Sequence, residues 1–162
     1  MTAWLLDVNV LVARFWEPHV FHRKVRAWMA SHEQAGWATC PITQAGFVRT
    51  ISNPAFSPEA PRPAEAIHWL EETIKDHPGH QFWADDLSVP DACAQTISRL
   101  SGFRQITDAY LLGLTIRKNG HMLTLDQRML ALIKDDSSAR KALVILDEAH
   151  SPTPQSKTAP RA

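Results

Sequence analysis

Short apolar runs alternate with longer stretches of helical spacing along this chain, and that alternation constrains the fold more than any other feature. Apolar runs at residues 3–6, 37–40, 81–84, 121–125 and 142–146 read as strands. Between them, Asn9 can cap a helix through Val10, Leu11 and Phe15 that closes near Pro18, and a second helix fits 19–34, stopped by Gly36. Thr43 can cap a third carrying Phe47, Val48 and Ile51, which ends at Asn53-Pro54; a loop with four prolines spans 54–63. A fourth helix fits 64–76, with Ile67, Leu70 and Ile74 on one face, and Asp91 can cap a short helix toward Leu100. Thr107 begins the best-defined helix, with Leu111, Leu112 and Ile116 inward, Lys118 in its last turn and Gly120 as its C-terminal glycine. A short helix is expected over 128–134.

Strand–helix alternation of this kind predicts an α/β fold, a central parallel sheet with helices on both faces. The 162 residues suit one domain, placed at 1–150. Residues 151–162, with three prolines and no large apolar side chain, are expected to be a disordered tail.

In a parallel sheet, ligands bind beyond the carboxyl ends of the strands, where the following helices begin. Asp7 ends the first strand and Asp126 the fourth, while Asp108 and Gln44 sit in the first turns of helices. Four positions spread over 120 residues therefore fall on one edge. Aspartate there also serves as an ordinary helix cap, which is the usual reading of any single one. Three carboxylates together repel one another unless a cation is bound, and oxygen-only donors suit Mg²⁺ or Mn²⁺. Such an ion activates water against a phosphodiester.

The segments LLDVNVL, CPITQAGFVRTISNP, ITDAYLLGLTIRKNG and MLTLDQR, in this order and spacing, resemble the PIN-domain ribonucleases, and most closely the VapC toxins of bacterial toxin–antitoxin pairs. The resemblance covers residues 3 to about 147. It implies an Mg²⁺-dependent endoribonuclease, with Mn²⁺ able to substitute, acting on tRNA or other structured RNA and restrained by a VapB-like antitoxin. It further implies Asp7 and Asp108 as principal metal ligands, with Asp126 completing the cluster directly or through water. Asn9 and Thr124 would share a face with Asp7 and Asp126 by strand alternation. Arg49 and Arg128 are candidates for phosphate contact. The slot after the second strand usually carries Glu; here it is Gln44, a catalytic candidate that can coordinate through its carbonyl oxygen or hold a water but brings no charge, which favours a one-metal site or one completed by the substrate phosphate. An antitoxin helix would lie in an apolar groove near the helices of residues 19–50, and apolar surface near the first two helices would support a homodimer.

Composition narrows the classes. Seventeen cations balance 17 carboxylates, so no global field attracts polyanions, although 11 of the cations are Arg, the side chain best shaped for phosphate. Two cysteines make neither a disulfide framework nor a zinc site and suit a reducing cytoplasm; Cys40 reads as a buried thiol. No signal peptide or membrane span is expected. The pairs His19/His22 and His77/His80 lack a third ligand for zinc. Trp28 and Trp69 are expected in the core, with Trp83 left open between core and base stacking. Asp85 and Asp86 read as a solvated loop or helix start. Two other functions fit parts of the pattern. LLDVNVL approaches the start of haloacid-dehalogenase-like phosphatases, but Asn9 stands where those need an acid. A PIN scaffold weakened by Gln44, binding RNA or a partner without cutting, is the other.

Overall fold

The computed structural model describes residues 2–134 and 137–147, so the expected tail at 151–162 lies outside the described residues. Five parallel strands, β1 (Trp4–Leu6), β2 (Trp37–Thr39), β3 (His80–Phe82), β4 (His121–Thr124) and β5 (Leu143–Ile145), form one sheet in the order β3-β2-β1-β4-β5. The helices are α1 (Val8–Phe15), α2 (His22–Ser31), α3 (Pro41–Ile51), α4 (Pro63–Asp76), α5 (Val89–Cys93), α6 (Ile106–Arg117) and α7 (Ser138–Ala142). The α/β expectation holds. Chain order reverses on either side of β1, so the crevice where such sheets take ligands opens between the carboxyl ends of β1 and β4.

Two cores explain why the strands read as uninterrupted apolar runs. Adjacent residues of a strand point to opposite faces. Leu5 packs with Met122, Leu111, Leu112 and Leu114 on the face covered by α5, α6 and α7. Leu6 packs with Leu123, Val10, Leu11, Phe47 and Ile51 on the face covered by α1 to α4. Both leucines are fully buried, as a sheet covered on both faces requires. Cys40 is buried, and Trp83 joins the first core.

Helix starts differ from expectation wherever two cap candidates stood close together. The N-cap of α1 is Asp7, whose carboxylate accepts from Val8 N–H; Asn9 is inside the helix. Helix α3 starts at Pro41, which needs no N–H at that position, and Thr43 instead reaches back to accept from Cys40 N–H at 2.9 Å. Ser88, not Asp91, caps α5. At the end of α6 the left-handed residue is Asn119, with φ of 52°. Gly120 is needed for a different reason, because a Cβ there would lie 2.2 Å from the Trp83 ring.

Helix α2 starts three residues later than expected, and 127–132 form a 3₁₀ segment rather than an α-helix. Helix α7 had no counterpart in the sequence reading. Helix α4 packs chiefly on α3, so only a narrow stripe of Ala66 and Leu70, with Ile74 partly covered, turns inward. Ile67 and Trp69, expected inside, are 56% and 45% exposed. Trp28 is half-buried against the second core, edge-on to Trp4.

Candidate active site

The site is built where β1 hands over directly to α1. Asp7 N–H donates to Leu123 C=O at 3.0 Å, extending the β1–β4 ladder by one rung, and Asp7 C=O accepts from Val10 and Leu11 N–H, opening the helix. One residue is therefore both the last rung of a strand and the first of a helix, so its side chain is fixed in the crevice. The carboxylate is buried. Its Oδ1 accepts from Val8 N–H at 2.7 Å; its Oδ2 accepts from Thr124 Oγ1–H at 2.6 Å and Asn9 Nδ2–H at 2.9 Å. Burial pushes the Asp7 carboxyl above the usual range, while the Thr124 and Val8 hydrogen bonds act against that rise.

Thr124, at the end of β4 and fully buried, is the hub of this network. Besides donating to Asp7, its Oγ1 accepts from Asn9 Nδ2–H at 3.1 Å and from Asp126 N–H at 3.1 Å. Asn9 completes the frame by accepting Leu125 N–H on Oδ1 at 3.0 Å. Asn9 and Thr124 thus hold the loop after β4 against the start of α1, which sets Asp126 relative to Asp7.

Asp126 caps the 3₁₀ turn Gln127–Leu132 by accepting Arg128 N–H, and the Arg128 guanidinium forks onto the same carboxylate at 2.7 to 3.1 Å. The Arg128 hydrogen bond holds Asp126 below its ordinary pKa. Arg128, expected at a phosphate, is thus set against a carboxylate, as the Asp-x-Arg spacing across a tight turn allows. Arg128 is 87% exposed, so it stands at the mouth of the crevice.

Asp108 lies in the first turn of α6 and is half-buried, and among the described residues its carboxylate has no hydrogen-bond or ion-pair partner. Burial, followed by the charges of Asp7 and Asp126, raises its pKa to about 6, with Arg128 opposing. The three carboxylates therefore sense one another's charge, although 119 residues separate the first from the last. As the side chains stand, no three His, Cys, Asp or Glu groups among the described residues close on a common point to hold a metal. The donor set nevertheless suits a hard divalent cation: oxygen donors only, one of them unpartnered and raised in pKa by its neighbours.

Among the described residues neither Gln44 nor Arg49 bonds to this group. Gln44 Nε2 donates to Thr39 Oγ1 at 2.9 Å, and that hydroxyl lies 2.8 Å from His80 Nε2. Thr39 shares the sheet face of Trp37, whereas Asp7 and Thr124 share that of Leu5 and Met122, so Gln44 works on the opposite face. Arg49 is exposed in the last turn of α3, about 12 Å along the helix from Pro41 and so away from the carboxyl edge. Among the described residues no helix is long and apolar enough to cross a membrane.

The family model for the PIN domain matches residues 4–150. Ribonuclease VapC38 of Mycobacterium tuberculosis (strain H37Rv) is 41% identical over 128 residues, 79% of this chain and 88% of that protein. Ribonuclease VapC44 of the same species is 43% identical over 125 residues, covering 76% and 85%. Ribonuclease VapC39 is 40% identical over 139 residues, covering 86% and 96%. Among solved structures, a chain of the VapBC2 complex of Rickettsia felis, crystallised on a promoter DNA fragment, superposes with a TM-score of 0.60. That match covers 90% of this chain and 98% of the other at 9% identity, a likeness of fold alone. With a family match spanning nearly the whole described chain and relatives above 40% identity, this chain belongs to the PIN-domain family, among the VapC ribonucleases.

Proposed function

We propose that this VapC ribonuclease is the toxin of a toxin–antitoxin pair, an endoribonuclease that hydrolyses RNA phosphodiesters at Asp7, Asp108 and Asp126 with Mg²⁺, for which Mn²⁺ can substitute. The observation that carries the reading is Asp108: a half-buried carboxylate with no protein partner among the described residues, raised to about pH 6 by burial and by Asp7 and Asp126. A cap or a structural ion pair has a partner; this group is held ready for one. When bound, a divalent ion supplies charge to a phosphoryl oxygen and lowers the pKa of a bound water.

The chain's own residues do the rest. Asp7 and Asp108 would hold the ion, and Thr124, Val8 N–H and Asn9 fix the Asp7 carboxylate in one orientation, so little reorganisation is needed on binding. Asp126, once turned from Arg128 toward the crevice, completes the anionic set, and the freed Arg128 guanidinium is then available to a substrate phosphate. Gln44 and Arg49 take no part. The partner is an antitoxin of VapB type laying an amphipathic helix along the helices of residues 19–50, and the chain works as a homodimer.

Cleavage of total tRNA by antitoxin-free protein, with Mg²⁺, with Mn²⁺ and with EDTA, tests this. The expected result is divalent-dependent cutting that Asp108→Asn loses. Cutting that persists in EDTA, or in Asp108→Asn under limiting metal, would place the chemistry elsewhere.

A further inference from the structure

The segment leading into Asp108 presents an aromatic ring and two arginines to solvent. Phe103 is 83% exposed, and Ile97 and Ile106 of the same segment are exposed too. The Arg104 guanidinium carbon lies 5.7 Å from the Phe103 ring centre. Between Asp91 and Asp108 there is no carboxylate, and among the described residues neither Arg99 nor Arg104 has an acid within ion-pair distance.

This surface is held in shape. Gln105 Oε1 accepts from Ser101 N–H at 2.8 Å, Ser101 Oγ–H at 3.1 Å and Gly102 N–H at 3.2 Å. Those three bonds pin the turn carrying Phe103 and Arg104, and the turn Phe103–Gln105 runs without a break into α6. Five residues separate Phe103 from Asp108, so ring and carboxylate sit at the same end of one helix.

A solvent-facing ring on a pinned turn, with the Arg104 guanidinium against it and Arg99 four residues before it in sequence, suits a single-stranded nucleic acid: bases stack on the ring and phosphates meet the cations. A second copy of this chain suits it less. A twofold interface sets a patch against itself, and here that would bring four arginines together with no carboxylate from the patch to offset them.

We infer that segment 97–106 is a substrate platform, on which an unpaired base of the RNA stacks on Phe103 while Arg104 and Arg99 hold adjacent phosphates. This rests on the reading of the Asp108 site as an RNA-cleaving centre. The platform fixes which nucleotide lies over Asp108, so substrate choice belongs partly to Phe103 and Arg104.

The test is fluorescence anisotropy of a labelled single-stranded oligoribonucleotide with the full-length protein in EDTA, for wild type, Phe103→Ala, Phe103→Trp and Arg104→Gln. The expected result is roughly tenfold weaker binding by Phe103→Ala, near-wild-type binding by Phe103→Trp, and a salt slope reduced by about one in Arg104→Gln. In cleavage assays Phe103→Ala should raise KM more than it lowers kcat. Wild-type protein that does not bind the oligonucleotide, or Phe103→Ala that binds and cuts as wild type does, overturns the inference. Phe103→Ala that changes the elution volume in gel filtration while RNA affinity stays constant assigns the surface to a second copy and overturns it too. The cleavage reading fails separately, if wild type cuts no RNA with any divalent ion while the EDTA binding and its loss in Phe103→Ala persist.

Discussion

Several helices begin with an acid at the carboxyl edge of the sheet and end with a base at the amino edge. Asp7, Glu65 and Asp108 stand at helix starts; Arg14, Arg49, Lys75 and Arg117 stand in last turns. Helix dipoles favour that division whatever the protein does. What separates the edges is how their buried charges are partnered. At the amino edge a cavity of about 670 Å³ is lined by Trp4, Arg14, Trp28, Trp37 and His77. Arg14 donates there to Met29 Sδ and His77 Nε2, both at 2.8 Å, and lies 4.5 Å from the Trp37 ring. Burial, with Arg26 adding to it, lowers its pKa to about 10, yet soft acceptors and a ring surround it. At the carboxyl edge Asp7 accepts three hydrogen bonds, Asp126 is paired, and Asp108 has no hydrogen-bond or ion-pair partner among the described residues. An unpartnered carboxylate among like charges is open to a ligand; a cation wrapped in protein contacts is already packed.

That contrast can be broken by experiment. Asp7→Asn or Asp108→Asn should lower single-turnover cleavage of tRNA by on the order of 100-fold or more, the scale of losing a preorganised charge at a reacting phosphate. Thr124→Val should cost about 2 to 3 kcal/mol in urea unfolding, since it strips the hub that serves Asp7, Asn9 and Asp126 inside the protein. The matching change at the other edge, Arg14→Met, should cost less than about 1 kcal/mol or stabilise, because it removes a half-buried cation that has no ion-pair partner among the described residues.

The pH dependence has a definite sign. Asp108 is raised from 3.8 to about 6 in the folded state, so the native protein holds its proton more tightly than the unfolded chain. Metal-free protein should therefore lose stability as pH rises from about 4 to 6 and stay at the lower level above that. The loss is on the order of 1 to 2 kcal/mol once solvent screening of this half-exposed group is allowed for. Melting curves should show it in wild type and not in Asp108→Asn, and added Mg²⁺ or Mn²⁺ should reverse it only in wild type. The smallest expected effect is that of Gln44→Glu: divalent-ion affinity by calorimetry should not change, because that side chain serves Thr39 on the other face of the sheet. A tightened affinity would return Gln44 to the site.

Much of the site was legible because the chain marks strand ends directly. In LLDVNVL and MLTLD the apolar run stops at an acid, and Asp108 opens a strongly periodic helix, so three carboxylates could be placed on one edge without coordinates. Strand alternation made Asn9 and Thr124 expected neighbours of the acids; the structure joins both to Asp7, but Asn9 reaches it from the first turn of α1 rather than along the strand. Gln44 was expected beside the acids, and the structure sets its amide against Thr39 instead. Being in the first turn after a strand fixes the edge a residue occupies, but which face of the sheet it serves depends on rotation about the helix axis. Helix starts failed similarly where Asp7 and Asn9, Cys40 and Thr43, or Ser88 and Asp91 competed within a few residues, since backbone geometry, not residue preference, selects the cap.

By itself the sequence determined the class of fold, the order of most of its elements and the edge on which three acids stand, because these follow from local periodicity and from charge at helix ends. The tertiary structure alone decided which of those acids keeps a partner. Arg128 turns back on Asp126 through a tight turn, Thr124 crosses 117 residues of chain to reach Asp7, and Asp108 is left between them. Such pairings depend on strand register and side-chain rotation, quantities that the pairing of β1 with β4 sets and that no single segment contains.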